Sequence, residues 1–164
     1  MALNYGKAFE SKFKEDIRKS FPDAYILRLY DITNGYKTIA NPCDFIVYDS
    51  NRLYLIDCKS HKGSSFPFDN FTQYDKLIPY KNIPNLITGV VVWLYEKDIV
   101  VFVPTFTVEK MLNDGYKSIN PIKVDRDKYY IVDIPSVKLR TFMNSDYSVL
   151  KDVEDFKTYS EVSQ

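Results

Sequence analysis

The chain has few cysteines, a single histidine and no long apolar run, and each shortage excludes a class of protein. Two cysteines in 164 residues do not provide the disulfide framework of a small secreted domain. Cys43, Cys58 and His61 supply too few ligands for a thiolate zinc centre. No apolar run reaches the roughly 18 residues of a transmembrane helix, and no signal peptide is recognisable. We therefore expect a soluble cytoplasmic protein without a membrane partner.

The chain also lacks a net charge. It has 22 Lys and Arg against 22 Asp and Glu, which is not the strongly basic balance of a protein dedicated to nucleic-acid binding. The charges are unevenly spread, because the first 62 residues have a slight excess of basic residues and residues 141–164 are acidic. Any basic face that meets phosphates would be formed by Lys7, Lys12, Lys14, Arg18, Lys59 and Lys62. For each of these residues, an ordinary solvated position on the surface is as good an interpretation.

Apolar and aromatic residues, in contrast, are plentiful. Hydrophobic residues make up 45% of the chain and aromatic residues 16%, enough for a sizeable core. Most of the tyrosines and phenylalanines are expected to pack in that core rather than stack on bases. The length favours one domain. We predict a single domain over residues 1–164, with a core at about 5–142 and an acidic helix or tail at about 143–164.

Two adjacent predicted strands place acidic and basic groups close together. Asp57 and Lys59 are two positions apart on an apolar strand, so their side chains share one face while Cys58 points away. A turn at Asp49-Ser50-Asn51 would fold the preceding strand, which begins near Asp44, back beside it. Two carboxylates and an ammonium group would then converge on one spot.

This combination suits a metal-dependent nuclease. Mg²⁺ is commonly held by one or two carboxylates together with substrate phosphate oxygens, and Asp44 and Asp57 could supply the carboxylates. Lys59 could orient the attacking water or stabilise developing negative charge. A plain alternative is a solvated Asp-Lys ion pair, which is worth under about 1 kcal/mol. Asp57 favours the nuclease because its strand is apolar enough to be buried on both faces.

The same residues resemble the PD-(D/E)xK nuclease superfamily, with Asp57 where many members have Glu. Residues 59–71, with the core Ser-Phe-Pro-x-x-Asn-Phe at 65–71, look like the segment that follows the metal site in RecU-type Holliday junction resolvases. Gly6–Glu10, Thr88–Leu94 and Gly115–Ile119 are similar to other family segments, so the resemblance covers roughly residues 5–120. The long stalk that RecU proteins insert between the two acids is missing here.

The resemblance implies a fold, a reaction and a set of site residues. The fold would be α/β (α+β), restriction-endonuclease-like, with a mixed central β-sheet flanked by helices. Glu10 would join Asp44 and Asp57 at Mg²⁺, for which Mn²⁺ could substitute. The substrate would be a DNA four-way junction cut by paired nicks, and its two-fold symmetry suits a homodimer. Such an enzyme fits recombination or repair in a bacterium or a phage-infected cell. Candidate DNA contacts are Lys7, Lys14, Arg28, Ser60, Lys62 and Gln73.

Two other functions remain open from the sequence, besides a purely structural protein. One is a restriction-like or nicking nuclease of the same superfamily that acts on duplex DNA, which the missing stalk favours. The other is a DNA-binding protein without catalytic activity.

Periodicity and breaker residues predict the order of the elements. Helices are expected at 5–20, 71–81, 105–113 (capped by a threonine) and 146–161, and strands at 25–31, 88–95, 99–103 and 129–134, besides the hairpin that contains Asp44 and Asp57.

Overall fold

The computed structural model describes residues 2–34 and 37–163, and at 32–34 and 37–39 it describes the backbone alone. The α-helices are α1 (Tyr5–Ser20), α2 (Tyr74–Leu77), α3 (Thr105–Asn113) and α4 (Phe156–Val162). The strands are β1 (Tyr25–Arg28), β2 (Ile32–Asn34), β3 (Lys37–Ile39), β4 (Phe45–Asp49), β5 (Arg52–His61), β6 (Phe66–Pro67), β7 (Leu86–Leu94), β8 (Ile99–Pro104), β9 (Ser118–Ile119), β10 (Val132–Asp133), β11 (Ser136–Lys138) and β12 (Met143–Ser145). Within the described residues, no helix is both long and apolar enough to cross a bilayer.

Six strands form the central sheet, in the order β1-β4-β5-β7-β8-β10. β5 and β7 run parallel over nine residue pairs, and the other neighbours are antiparallel. One face of the sheet packs on α1 through Phe13 and Ile17, and the other packs beneath α3 through Val108 and Met111. The predicted mixed sheet flanked by helices is confirmed.

Helix α1 has the predicted bounds, Tyr5–Ser20. Asn4 caps its start by accepting a hydrogen bond from the backbone N–H of Lys7, and Pro22 follows its end. Phe9, Phe13 and Ile17 form the buried stripe, which lies against the sheet as their spacing of four residues predicts.

The predictions for the second and third helices are wrong in detail. A continuous helix at 71–81 does not form, because Pro79 cannot continue a helix; α2 covers four residues and a 3₁₀ turn, Ile78–Tyr80, follows it. α3 has the predicted bounds, but Pro104 precedes it and no side chain caps it. The hydroxyl of Thr105 instead accepts a hydrogen bond from the hydroxyl of Thr88 on β7, at 2.9 Å.

The core extends further along the chain than residue 142. Met143, Tyr147, Leu150 and Val153 are buried in the cluster that α1 covers. The predicted helix at 146–161 is divided into a 3₁₀ segment, Tyr147–Asp152, and α4. The segment after 142 therefore begins as part of the packed domain and not as a tail.

A side chain at Gly89, in the middle of β7, is expected to destabilise the fold. A Cβ there would lie 2.5 Å from the carbonyl oxygen of Val103 and 2.6 Å from the ring of Phe102. We expect Gly89→Ala to lower the free energy of unfolding by about 1–3 kcal/mol or more, as overpacked cores do, in urea denaturation. Gly6→Ala is the matched control, because its Cβ would meet only the Asn4 side chain, at 3.5 Å, and alanine favours the helix. Equal stability of the two variants would contradict the crowding at Gly89.

Candidate active site

The β4–β5 hairpin brings Asp44 and Asp57 to the same place on the sheet. Ser50 and Asn51 form its turn with φ of 50° and 63°, the left-handed conformation that tight hairpins favour. The register ends with Phe45 paired with Ile56, so Asp44, one residue before Phe45, lies beside the part of β5 that carries Asp57. Asp44 Oδ2 accepts a hydrogen bond from the N–H of Cys58, the residue that follows Asp57. This contact brings the two carboxylates close together.

Hydrogen bonds fix the position of Asp44. Its backbone N–H donates to the Ile56 carbonyl at 3.1 Å, and its carbonyl accepts from the Leu29 N–H at 2.7 Å. Its side-chain Oδ2 accepts from the backbone N–H of Cys58 at 2.8 Å. Asp44 is therefore held by the neighbouring strand on each side, while Oδ1 is not used in that bond.

Asp57 is a fully buried acid, with 0% exposure. Lys59 Nζ lies at an ion-pair distance of 3.3 Å from Asp57 Oδ2, but within the described residues neither carboxylate oxygen has a hydrogen-bond partner. Burial raises the pKa of Asp57 to about 8, the charge of Asp44 adds to the rise, and Lys59 opposes it. A buried polar group normally has a partner. Asp57 departs from this rule, and its carboxyl is therefore a candidate ligand for a cation.

Glu10 on α1 faces the same region but is tied to Arg28 on β1. Arg28 Nη2 donates to Glu10 Oε2 at 2.6 Å. Burial raises the pKa of Glu10, the charge of Asp44 raises it further, and the bond to Arg28 opposes both. In this structure Arg28 therefore orients a predicted metal ligand, a role that the sequence did not indicate.

The donor set suits Mg²⁺, with two carboxylates already in place. Within residues 2–34 and 37–163, no three His, Cys, Asp or Glu side chains are grouped closely enough to hold a metal ion. Mg²⁺ does not require three, because it is usually bound by one or two carboxylates, waters and substrate phosphates. Asp44 and Asp57 meet that requirement. The oxygens of Asp57 have no hydrogen-bond partner within the described residues, which gives a physical reason for a cation at this position. Glu10 as a ligand stays a prediction.

The two cysteines are buried free thiols. Burial raises the pKa of Cys43 to about 12 and that of Cys58 well above its usual value. Such thiols are protonated and inert at neutral pH, so they contribute packing to the hairpin.

The predicted DNA contacts do not all lie on one surface. Lys7 and Lys14 are three and four positions from Glu10 on α1, which places them along the same flank of the helix. Ser60 alternates with Lys59 along β5, so it points away from the face of Asp57, and Lys62 follows the end of β5. Lys62 lies 3.7 Å from Glu96, and Gln73 precedes α2. Lys12, a member of the basic face considered above, is bound to Asp16 at 2.6 Å. As DNA contacts, the predicted residues remain predictions.

His61 also lies on this face, although the sequence alone did not single it out. It is the last residue of β5 and continues the alternation of Asp57 and Lys59. Asn70 Nδ2 lies 3.4 Å from His61 Nδ1. The alternating positions 57, 59 and 61 were visible in the sequence, but the contact with Asn70 depends on the fold.

Comparisons with known proteins give a likeness in structure and none in sequence. No family model matches the chain, and no curated protein matches it. Among solved structures, it is similar to Hjc, a Holliday junction resolvase from the archaeal hyperthermophile Archaeoglobus fulgidus, with a TM-score of 0.51 and 16% identity over 71% of this chain and 89% of that one. It is also similar to a nuclease from a fusselovirus, with a TM-score of 0.41 and 10% identity over 81% of this chain and 86% of that one.

The likeness to Hjc defines the class of fold. The helix-flanked mixed sheet of this chain matches a restriction-endonuclease-like resolvase fold. The predicted fold class is therefore confirmed.

Proposed function

We propose that the chain is a divalent-metal-dependent endonuclease that hydrolyses phosphodiester bonds in DNA, with the four-way junction as its substrate. The observation that carries the proposal is the buried carboxyl of Asp57, which has no hydrogen-bond partner among the described residues and lies near Asp44 and 3.3 Å from Lys59 Nζ. A buried carboxyl group without a hydrogen-bond partner destabilises the fold, so a purely structural role does not account for this cluster. The fold shared with a protein described as a Holliday junction resolvase supports the choice of substrate.

Asp44 and Asp57 would hold Mg²⁺, and Mn²⁺ would substitute for it. When bound, the cation lowers the pKa of a water and offsets the charge that develops on the phosphate. The bond from the Cys58 N–H keeps one oxygen of Asp44 in place, so that the other is free to face the cation. The hairpin thereby preorganises both carboxylates before substrate arrives.

Lys59 would act on the substrate side of the same cluster. Its ammonium group has three donors and is partly exposed, with 28% of its side chain accessible. One N–H of the ammonium group can remain close to Asp57 while another donates to the attacking water or to a non-bridging phosphate oxygen. This arrangement orients the nucleophile and stabilises the negative charge of the transition state.

Glu10 and Arg28 would form the outer part of the site. The pair is held at 2.6 Å, and Arg28 also lies over the ring of Tyr30, with its Cζ 4.7 Å from the centroid. Glu10 would then act on the cation directly or through a water, with Arg28 fixing its orientation.

A homodimer is the assembly that this function favours. A four-way junction has two-fold symmetry and needs two matched cuts. A symmetric pair of subunits would therefore present one active site to each cleavage position. The arrangement would suit recombination or repair in a bacterial or phage-infected cell.

Cleavage of a labelled four-way junction beside linear duplex of the same sequence tests the proposal. In Mg²⁺ we expect paired symmetric nicks near the crossover and little cutting of the linear duplex. Equal cutting of both would keep the chemistry but overturn junction selectivity, which would make the chain a restriction-like or nicking nuclease. Binding without cutting in Mg²⁺ or Mn²⁺ would make it a catalytically silent DNA-binding protein, and no binding at all would overturn the proposal entirely.

A further inference from the structure

His61 extends the row of functional side chains on β5. β5 covers Arg52–His61, and residues two apart on a strand share a face. The imidazole therefore lies on the face of Asp57 and Lys59, with its Cα about 6.8 Å beyond that of Lys59. Phe66 and Phe71, which follow in the chain, are buried on this side of the sheet. The row of Asp57, Lys59 and His61 therefore ends beside packed apolar side chains.

Two contacts fix the ring of His61. Asn70 Nδ2 lies 3.4 Å from His61 Nδ1, and the ring of Phe66 meets the imidazole at 81° with centroids 6.1 Å apart. An amide nitrogen is a donor, so Nδ1 accepts and the proton of the neutral ring is on Nε2. The ring is thus oriented so that Nε2 faces away from Asn70.

The second ring nitrogen, Nε2, makes no hydrogen bond within the described part of the fold. In the part of the chain that the structure describes, the imidazole has no hydrogen-bond partner besides Asn70, and the residue is half-buried. Nε2–H is therefore an oriented donor that is available to a ligand. Packing against Phe66 alone would not require it.

We propose that His61 binds the DNA phosphate next to the one that is cut, with Nε2–H donating to a non-bridging oxygen. A phosphate offers only acceptors, which matches a single oriented donor. The separation of Lys59 and His61 along the strand, about 6.8 Å, is of the order of the step between successive phosphates of one DNA strand. This inference rests on the nuclease proposed above and adds a binding residue to its site.

Two variants separate binding from packing. His61→Gln keeps an N–H donor, whereas His61→Leu keeps an apolar side chain against Phe66 but loses the donor. We expect His61→Leu to raise KM for the DNA substrate about tenfold, as the loss of one hydrogen bond to a charged group does, with kcat within about twofold of the native value. His61→Gln should recover most of that loss. A purely structural role would instead leave KM unchanged in His61→Leu, or alter the thermal unfolding midpoint in both variants without this split.

Because the chain has a single histidine, the imidazole signals in an NMR spectrum report on His61 directly. In the Asp57→Asn protein without added metal, duplex or junction DNA is expected to shift the imidazole Nε2–H signal, and the shift should saturate with binding. Unchanged KM in His61→Leu together with an unmoved imidazole signal, in a protein that cuts DNA, would overturn this inference and leave the nuclease intact. A native protein that neither binds nor cuts DNA would overturn both.

Discussion

Asp57→Asn is expected to lower the rate of Mg²⁺-dependent DNA cleavage by about 10³-fold or more. The amide has the same shape but lacks the charge that would hold the cation, and the cation contributes several kcal/mol to stabilising the transition state. Each 1.36 kcal/mol corresponds to about a tenfold change in rate. Single-turnover cleavage of labelled DNA in excess enzyme measures the chemical step, and circular dichroism shows that the variant is folded.

Asp49→Asn is the matched control for this substitution. Asp49 ends β4 in the same hairpin, and its carboxylate accepts a hydrogen bond only from the neighbouring Ser50 hydroxyl, at 3.2 Å, within the described residues. We expect this variant to cut at the native rate. Comparable losses in both variants would mean that the hairpin fold, and not a metal-binding carboxylate, is what cleavage depends on.

The hairpin and the first helix were the parts that sequence could predict, because their signals are local. The apolar stripe of α1 repeats every four residues over a full helix, and Asp57 and Lys59 share a strand whose alternation decides their face. The turn residues Ser50 and Asn51 favour a tight hairpin, and that hairpin brings Asp44 back beside the strand of Asp57. Local spacing thus predicted the centre of the candidate site.

The outer part of the site depends on contacts between distant segments, which periodicity does not encode. Arg28 meets Glu10 only because β1 lies at the sheet edge beside α1. Asn70 reaches His61 because a loop and a 3₁₀ turn return to the end of β5. Tyr147 lies in the segment that the sequence predicted to be an acidic helix or tail, yet it packs edge-on against Phe13 with centroids 4.7 Å apart. Each contact is a tertiary effect that overrides local preference.

The stability of the metal-free protein is expected to fall as pH rises, and Asp57 is the main cause. Its pKa is about 8 in the folded protein against 3.8 for the free side chain, so folding keeps a proton on it that the unfolded chain releases. Its contribution is fully present below pH 4 and is lost as pH rises towards 8, at up to about 1.4 kcal/mol per unit. The raised pKa of Glu10 acts in the same direction.

Urea denaturation in EDTA at pH 5, 7 and 9, with native protein and Asp57→Asn side by side, isolates this effect. The variant has no proton to lose at this position, so its advantage in free energy of unfolding should grow from pH 5 to pH 9. Adding Mg²⁺ at pH 9 should then stabilise the native protein more than the variant, because only the native protein has a carboxylate that gains a cation. Parallel pH profiles for the two proteins would show that Asp57 is already compensated in the folded state. That result would remove the physical reason for a cation at this hairpin, independently of any measurement of cleavage.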